Sequence, residues 1–529
     1  MHSVAVSTGR TRFRQAVVLL SVLGPTAALS QMPERVDTAV VTRIRDEGFN
    51  RSQVMETVSW LTDVYGPRLT GSPNTRAAAE WTIRRLASWG ISNGRMEPWG
   101  TFGIGWSNQS LHVRAVTPQP YPIIANVTAW TPSTDGWVRG EAVLVNDITD
   151  SSRLAKYAGK LRGKFVLVSN PPALAPHFNP DAERYSDSAL NEMANWTATP
   201  GTGGRPQQQQ QAGLSSTARM AFFASEGVAA VVSTSARNDF GTVFGAPYVG
   251  MRKQDALLDL IGLGFSAEHY NRIVRTLAKG LPVTLEMFVQ STAHAEEKTA
   301  FNVIAEIPGS DREDEIVMLG AHFDSWHWSS GATDNASGSA VMLEAMRILK
   351  ALNLPLRRTV RLALWTGEEQ GLLGSRAYVN NHFADRATMQ LKPDHAKFQA
   401  YFNMDNGTGA FRGIYLQQNA AIGPVFRAWM EPFHDLGMTT ITIENTLTDH
   451  QAFDAVGLPG FQFVQDWIEY GTRTLHSNMD SYERLIPEDL KKNAVIVASF
   501  VYHAANRAEL LPREALPARP APPAVPARP

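Results

Sequence analysis

Cysteine is absent from this chain of 529 residues. Disulfide bonds, thiolate metal ligands and cysteine nucleophiles are therefore excluded, and any metal ion must be held by His, Asp and Glu side chains. An excess of charge is absent as well, because 49 Lys and Arg residues balance 50 Asp and Glu residues. This balance gives no electrostatic basis for binding nucleic acid or an anionic membrane.

The signatures of several large enzyme classes are also missing from the sequence. It contains no H-E-x-x-H pair of zinc ligands, no G-x-S-x-G nucleophile elbow, no P-loop and no G-x-G-x-x-G dinucleotide fingerprint. Single-zinc zincins, serine α/β-hydrolases and the common nucleotide-dependent enzymes are therefore not supported.

Long apolar runs are confined to the N-terminus. Arg10, Arg12 and Arg14 precede "QAVVLLSVLGPTAALSQ", a run that is too short to span a bilayer and that ends in small residues suited to cleavage. This pattern predicts a secretory signal peptide over residues 1–30, with an uncleaved anchor as the alternative. We expect a soluble, exported protein that is periplasmic or secreted.

In the rest of the chain, the secondary structure that the sequence pattern predicts changes from one region to the next. Residues 31–124 are predicted to be a helical N-terminal part of the domain that residues 296–512 complete, because apolar residues recur at helical spacing. Residues 125–295 contain short β-like runs such as "GEAVLVND" and predict a β-rich insertion. Residues 296–512 alternate apolar strands with helices, which predicts an α/β domain with a mixed, mostly parallel sheet sandwiched by helices. The proline-rich residues 513–529 are predicted to be a disordered tail.

Acidic residues and a histidine follow three strands of the predicted α/β domain. His322 and Asp324 follow "EIVMLGA", Glu368 and Glu369 follow "TVRLALWTG", and Asp405 follows "FQAYFNM". In open α/β sheets, ligands bind outside the carboxyl ends of the strands, so we expect these side chains to converge.

Two further residues join this set, Asp334 after the first loop and His476 in "TRTLHSNMD". Each residue alone has an ordinary structural interpretation, as surface carboxylate, cap or loop histidine. Together they suit a two-metal hydrolase, which needs a bridging carboxylate and further nitrogen or oxygen ligands. Neighbouring glutamates could divide the work between metal binding and proton transfer, and Asp324 is placed to orient the imidazole of His322.

The motifs "GAHFDSW…GATDNASGSA", "LWTGEEQGLLGS", "NMDNGTG", "TDHQAFDAVGLPG" and "HSNMD" resemble, in this order, those of the co-catalytic di-zinc exopeptidases. This family includes secreted aminopeptidases, glutamate carboxypeptidase and carboxypeptidase Q, and the motifs are closest to those of carboxypeptidase Q. The insertion resembles a protease-associated domain. The resemblance covers roughly residues 298–510 and implies two Zn²⁺ ions, although Mn²⁺ or Co²⁺ would also suit the residues.

The resemblance also implies a role for each residue. Asp334 would bridge the two ions, His322 and Asp405 would complete one site, and Glu369 and His476 the other. The catalytic roles would fall to two further residues, with Glu368 as general base and Asp324 as the residue that holds His322. Five more residues are candidates for positions beside the ligands or in the substrate pocket: Asp449, His450, Tyr470, Trp326 and Trp328.

One departure from the family concerns oxyanion stabilisation. Leu475 precedes His476, where some aminopeptidases have a tyrosine, so stabilisation would fall to the metals or to another donor such as Tyr470. The two tryptophans could form a wall of the substrate pocket or simply pack beneath the loop.

The sequence therefore predicts an exported di-zinc exopeptidase that acts on small peptides, with carboxypeptidase or dipeptidase specificity. An aminopeptidase is the first alternative, because acidic groups for a free amine and basic groups for a carboxylate, such as Arg412 or Arg473, are both present. A non-catalytic binding protein that keeps the fold is the second alternative. The expected partner is a small peptide substrate, with no nucleic acid and no membrane after signal cleavage, and a homodimer is left open.

Overall fold

The structure is a computed structural model that describes residues 34–197 and 214–519. Its α-helices are α1 (Thr38–Asn50), α2 (Val54–Ser59), α3 (Pro73–Ser88), α4 (Ser151–Leu154), α5 (Asp187–Ala194), α6 (Ser216–Glu226), α7 (Ala267–Leu277), α8 (Ser337–Ala351), α9 (Leu373–His382), α10 (Gly423–Met430), α11 (His450–Asp454) and α12 (Pro487–Asn506). None of these helices is both long enough and apolar enough to cross a membrane. The predicted signal peptide lies outside the described residues.

The strands are β1 (Arg95–Thr101), β2 (Gly105–Thr117), β3 (Tyr121–Pro122), β4 (Ala125–Val127), β5 (Val138–Leu144), β6 (Phe165–Leu167), β7 (Ala230–Ser233), β8 (Gly262–Phe265), β9 (Thr284–His294), β10 (Thr299–Ile307), β11 (Arg312–His322), β12 (Arg358–Trp365), β13 (Ala384–Asp385), β14 (Gln390–Leu391), β15 (Phe398–Asn403), β16 (Phe411–Tyr415), β17 (Thr440–Thr442) and β18 (Gly460–Gln465). Short π-helical turns cover Trp60–Val64, Ala332–Ala336 and Tyr470–Thr474, and short 3-10 turns cover Pro393–Lys397, Ala420–Ile422, Glu431–Leu436 and Tyr482–Arg484.

The first large sheet has the strand order β1-β10-β12-β11-β15-β18-β16-β17. Its central strands β12, β11, β15 and β18 are parallel. On one flank β10 is antiparallel to both β12 and β1, and on the other β16 is antiparallel to β18 and parallel to β17. His322 pairs with Trp365 on one side of β11, and Gly320 pairs with Asn403 on the other. The carboxyl ends of the three central strands therefore lie side by side, and the predicted mixed, mostly parallel sheet is confirmed.

Both faces of this sheet are covered, which explains its nearly continuous apolar strands. Val317 and Leu319 of β11 pack into the core that α1, α8 and α12 share, whereas Ile316 and Met318 pack into the core that includes Tyr378 of α9 and Phe453 of α11. Alternate residues of one strand thus serve opposite cores.

A second large sheet has the order β3-β2-β9-β5-β6-β7-β8-β4 and its own apolar core. The strands β5 to β8 are parallel, and Phe223 of α6 and Tyr270 of α7 pack against them. The region predicted as a β-rich insertion therefore carries helices as well as strands. Its likeness to a protease-associated domain stays a prediction.

The structure differs from the sequence analysis before residue 125. The segment 31–124 was predicted to be helical, but helix ends at Ser88, and β1 and β2 follow. β1 forms an edge of the first sheet, whereas β2 pairs with β9 along most of its length and belongs to the second sheet. The long-range pairing of β2 with a strand almost 200 residues away carries no signal in the local sequence.

The described part of the proline-rich tail is not loose chain. Leu511 is buried, and Arg513 donates a hydrogen bond of 2.5 Å to the carbonyl oxygen of Phe398. Arg519 donates to the carbonyl oxygen of Ala387 at 3.1 Å. Proline restricts the chain to extended conformations, which can lie along a surface as well as remain free. The predicted disorder is therefore wrong for residues 513–519.

Candidate metal centre

The predicted ligands meet at the carboxyl ends of the central strands. His322 is the last residue of β11, Glu369 lies four residues after β12, and Asp405 lies two residues after β15. Asp334 lies in the turn Ala332–Ala336 before α8, where its own backbone is not helical (φ −129°, ψ 85°), and His476 follows the turn at Tyr470–Thr474. The convergence predicted from the strand order is what the structure has.

Asp334 lies between the two histidines. Its Oδ1 is 3.1 Å from Nε2 of His322, and its Oδ2 is 3.2 Å from Nε2 of His476. One carboxylate thus presents a different oxygen to each imidazole, which is the arrangement a bridging ligand requires.

The remaining two carboxylates each approach one histidine. Oε2 of Glu369 is 2.8 Å from Nε2 of His476, and Oδ1 of Asp405 is 3.2 Å from Nε2 of His322. Thr448 donates a hydrogen bond to the other oxygen of Asp405 and so fixes that carboxylate. The five side chains therefore divide into two sets that share Asp334.

The donor set suits a divalent cation. Ligand atoms of His322, Asp334 and Glu369 all lie within 4.8 Å of one another. Oε1 of Glu369 is buried and has no hydrogen-bond donor among the described residues, and Oδ2 of Asp334 is buried and lies 3.2 Å from Nε2 of His476 without hydrogen-bond geometry. Buried carboxylate oxygens without donors are costly unless a cation compensates them. Imidazole and carboxylate are ligands that Zn²⁺ accepts, so the residues fit the ions that the resemblance implies.

Burial and mutual charge shift the pKa values of these groups in opposite directions. Burial raises the pKa of Glu369 to about 7, and the charge of Asp334 adds to the rise. Burial opposes protonation of both histidines, but the neighbouring carboxylates outweigh it, so the pKa of His476 rises to about 11 and that of His322 well above its usual value. The same histidines lower the pKa of Asp334 despite its burial.

Glu368 lies beside the ligands and contacts neither histidine within ion-pair distance. Burial raises the pKa of its carboxyl group well above the usual value, with further contributions from Asp405, Asp449 and Glu369 that His322 partly offsets. Its backbone N–H donates to Oδ1 of Asp324 at 3.3 Å. This hydrogen bond fixes the backbone of Glu368, and the buried carboxylate of this residue, which precedes Glu369 in sequence, is suited to accept a proton.

Asp324 orients His322 chiefly through its main chain. Nδ1 of His322 is 3.0 Å from the carbonyl oxygen of Asp324 and 3.6 Å from its carboxylate. That carboxylate instead accepts from the hydroxyl of Thr70 at 2.7 Å, and the same hydroxyl accepts from the N–H of Gly367 at 2.9 Å. Asp324 and Thr70 thus tie the His322 loop to the Glu368 loop.

Two charged residues of the centre were missed by sequence reasoning. Arg68 is fully buried in the "GPRLTGSP" loop and donates to the carbonyl oxygens of Phe323 and Gly331 at 2.8 and 2.9 Å. Asp480 accepts from the N–H groups of Thr333 and Asp334 at 2.6 and 3.1 Å. Asp480 could have been found from the sequence, because it is the last residue of the motif "HSNMD". Arg68 could not, because a turn-rich loop gives no indication that its arginine is buried beside the centre.

The two tryptophans pack against each other beside His476, and a role for them in the substrate pocket stays a prediction. The rings of Trp326 and Trp328 stack with centroids 4.8 Å apart, and they lie 6.2 and 6.4 Å from the ring of His476. Nε1 of Trp328 donates to the carbonyl oxygen of Val127 at 2.8 Å, and Trp326 packs edge-on against Trp130 of the second sheet region. The pair also lines an open cleft of about 180 Å³ together with Asp334 and His476.

The other pocket candidates lie close to the centre. Asp449 is fully buried, and its burial raises its pKa to about 7. Burial lowers the pKa of His450 to about 3, and its Nε2 lies 3.2 Å from the hydroxyl of Thr446. The ring of Tyr470 packs over Gly407, and burial raises the pKa of its phenol well above the usual value, with Asp334 contributing.

Arg412 and Arg473, which the sequence analysis named as basic groups that could bind a substrate carboxylate, both form ion pairs within the protein. Arg412 donates to Asp466 at 3.2 Å, and Arg473 donates to Asp181 and Asp239 at 2.8 Å each. Both guanidinium groups are thus paired with carboxylates of the protein itself, and a role for either of them in binding a substrate carboxylate stays a prediction.

Comparison with known proteins agrees with this geometry. Residues 302–501 match the sequence model of peptidase family M28. Carboxypeptidase Q of Mus musculus is 23% identical over 515 residues, which cover 97% of this chain and 98% of the relative. The crystal structure of a peptidase M28 precursor from Shewanella amazonensis SB2B has a TM-score of 0.66 at 24% identity, over 91% of this chain and 98% of that chain. A zinc aminopeptidase from Bacillus subtilis has a TM-score of 0.54 at 18% identity, over 86% and 95%. Residues 302–501 therefore form a peptidase M28 domain, and the chain is a metallopeptidase homologous to carboxypeptidase Q.

Proposed function

We propose that this protein is a di-zinc exopeptidase that hydrolyses terminal peptide bonds of small peptides, with carboxypeptidase or dipeptidase specificity. The observation that carries the proposal is the carboxylate of Asp334, which presents one oxygen to His322 and the other to His476. His322 and Asp405 would hold one ion, and Glu369 and His476 the other. The name of the Bacillus subtilis neighbour supports zinc, although Mn²⁺ and Co²⁺ accept the same ligands.

The residues around the ligands would carry the proton transfers. When bound, the ions would polarise the peptide carbonyl and activate a water. Glu368 would accept the proton of that water and return it to the leaving amine, as its position beside Glu369 allows. Tyr470 remains our candidate donor to the developing oxyanion, because its phenol is buried close to Asp334 and Glu369.

Metal analysis combined with a peptidase assay tests this proposal. The purified protein should bind two Zn²⁺ ions per chain by elemental analysis and should hydrolyse unblocked dipeptides. Removal of the metal with a chelator should abolish hydrolysis, and added Zn²⁺ should restore it. A protein that binds no metal, or that stays fully active after complete chelation, would contradict the proposal and favour a non-catalytic or unrelated role.

Arg252 supports recognition of a substrate carboxylate. Its guanidinium lies 3.9 Å over the ring of Phe102 and 5.4 Å from the ring of Trp130, which in turn packs against Trp326 beside His476. Among the described residues it has no carboxylate partner, and its buried Nη1 has no hydrogen-bond acceptor. Burial lowers its pKa. A half-buried guanidinium without a counter-ion is suited to bind the free carboxylate of a peptide.

Substrates blocked at either end test this specificity. We expect rapid cleavage of an N-acetylated dipeptide and slow cleavage of a C-amidated one. Arg252→Met should raise KM for the free-carboxylate substrate by about 10–100-fold, because a hydrogen-bonded ion pair is lost, and should leave KM for the amidated substrate unchanged. Preference for the amidated substrate, together with an unaffected Arg252→Met variant, would instead identify an aminopeptidase.

We also propose that the protein is exported. The support is the sequence of residues 1–30, in which arginines precede a short apolar run and small residues. The balanced charge supports a small peptide as partner rather than nucleic acid or a membrane.

A further inference from the structure

The segment that carries His476 is enclosed by two loops that come from the region of the second sheet. We call residues 177–185 the strap and residues 237–245 the cover loop. The strap exchanges two backbone hydrogen bonds between Glu183 and Ile468, of 3.2 and 2.9 Å. The cover loop donates from the N–H of Gly245 to the carbonyl oxygen of His476 at 2.8 Å. His476 is therefore held by chain outside the M28 domain.

Arg473, three residues before His476, joins the strap to the cover loop. Its Nη2 donates to Asp181 of the strap at 2.8 Å, and its Nη1 donates to Asp239 and to the hydroxyl of Thr242 in the cover loop at 2.8 and 2.9 Å. The side chain of Arg473 is 8% exposed. His177 of the strap also lies 2.8 Å from each of the two carboxylates. The buried guanidinium of Arg473 is thus paired with two carboxylates. Removing it would leave Asp181 and Asp239 without their counter-charge.

The backbone of His476 needs this support. Its φ angle is +56°, in the left-handed region that is costly for residues other than glycine. Asn478 fixes the chain on the far side, because it donates to the carbonyl oxygen of Gly241 at 3.1 Å and accepts from the N–H of Val243 at 2.7 Å. The histidine is thus fixed on both sides by the strap and the cover loop.

From these contacts we infer that the clasp formed by Arg473, Asp181 and Asp239 positions His476 and thereby sets the affinity of the metal site that His476 and Glu369 complete. The inference rests on the proposed function. Arg473 is a positioning residue, because it contacts neither the substrate nor the ligand atoms. The region of the second sheet would then contribute to the metal centre directly, because its strap and cover loop hold His476 in position.

Metal affinity of the Arg473→Gln variant tests the inference. We expect one of the two Zn²⁺ ions to bind about 10–100-fold more weakly, as is usual when a ligand loses its supporting partners, while the other keeps its wild-type affinity. Competition with a calibrated chelator measures both constants, and the visible spectrum of the Co²⁺-substituted protein should change. Arg473→Lys, which keeps the charge, should recover part of the affinity. Asp181→Asn, at the more exposed end of the clasp, should shift the same constant in the same direction and serves if Arg473→Gln does not fold.

Arg347→Gln is the matched control. Arg347 is 5% exposed and also pairs with two carboxylates, Glu47 and Glu344, at 2.6 and 2.8 Å, but it lies on α8 away from His476. It should lower thermal stability without changing either metal constant. The inference would be overturned if wild type, Arg473→Gln and Asp181→Asn bound both Zn²⁺ ions with equal affinity. It would also be overturned if Arg347→Gln lost as much Zn²⁺ affinity as Arg473→Gln. Either result would leave the proposed function intact. A wild-type protein that binds no metal would overturn both.

Discussion

Replacing Glu368 with glutamine is expected to lower kcat by about 10²–10⁴-fold, the range that general acid–base catalysis contributes. Glutamine keeps the size of the side chain but cannot accept a proton. Because Glu368 is not placed as a ligand, metal content and KM should stay close to the wild-type values. Steady-state kinetics with an unblocked dipeptide, together with metal analysis of the same preparation, measure all three quantities.

The outcome separates proton transfer from metal binding. Glu369→Gln, at the adjacent position, is the matched comparison, because it should lose affinity for one ion as well as activity. If Glu368→Gln kept full activity, another group would have to be the base. If it lost metal in the same proportion as Glu369→Gln, Glu368 would be a ligand and the assigned division between the two glutamates would be wrong.

Replacing Asp334 with asparagine is expected to have a still broader effect. The amide offers one oxygen where the carboxylate offers two, and it cannot balance the charge of two cations. We therefore expect loss of both ions and a fall in kcat/KM of at least about 10³-fold, since the metal contribution amounts to several kcal/mol of barrier. Elemental analysis and the dipeptide assay measure the two effects.

A variant of Asp405 completes this test. Asp405 approaches only His322, so Asp405→Asn should weaken one ion and spare the other. Two ions retained by Asp334→Asn would show that this carboxylate does not bridge. Loss of a single ion by both variants would assign Asp334 to one site only.

The convergence of the candidate ligands was predictable from the sequence because most of them follow strands. Each of His322, Glu369 and Asp405 ends or follows an apolar strand, and parallel strands bring such ends together. Asp334 and His476 lie on turns, so the sequence pattern could only suggest that they join the set, and the resemblance supplied the roles proposed for them.

What surrounds the ligands was less predictable. Thr70 and Arg68 act through hydrogen bonds to chain about 250 residues away, and a threonine or arginine in a turn-rich loop carries no sign of that partner. The ion pairs of Arg412 and Arg473 were unpredictable for the same reason, since their carboxylate partners come from distant loops. Burial and partners are tertiary properties, whereas spacing and periodicity report on secondary structure.

The strand order of the M28 domain has a consequence for a chain without cysteine. His322 and His476 lie near opposite ends of this domain in sequence, yet each lies within 3.2 Å of a carboxylate oxygen of Asp334. Ions shared between such distant ligands would act as a cross-link that closes a long loop of chain and reduces the entropy of the unfolded state. The metals would then stabilise the folded protein as a disulfide does in other proteins, in addition to their part in catalysis.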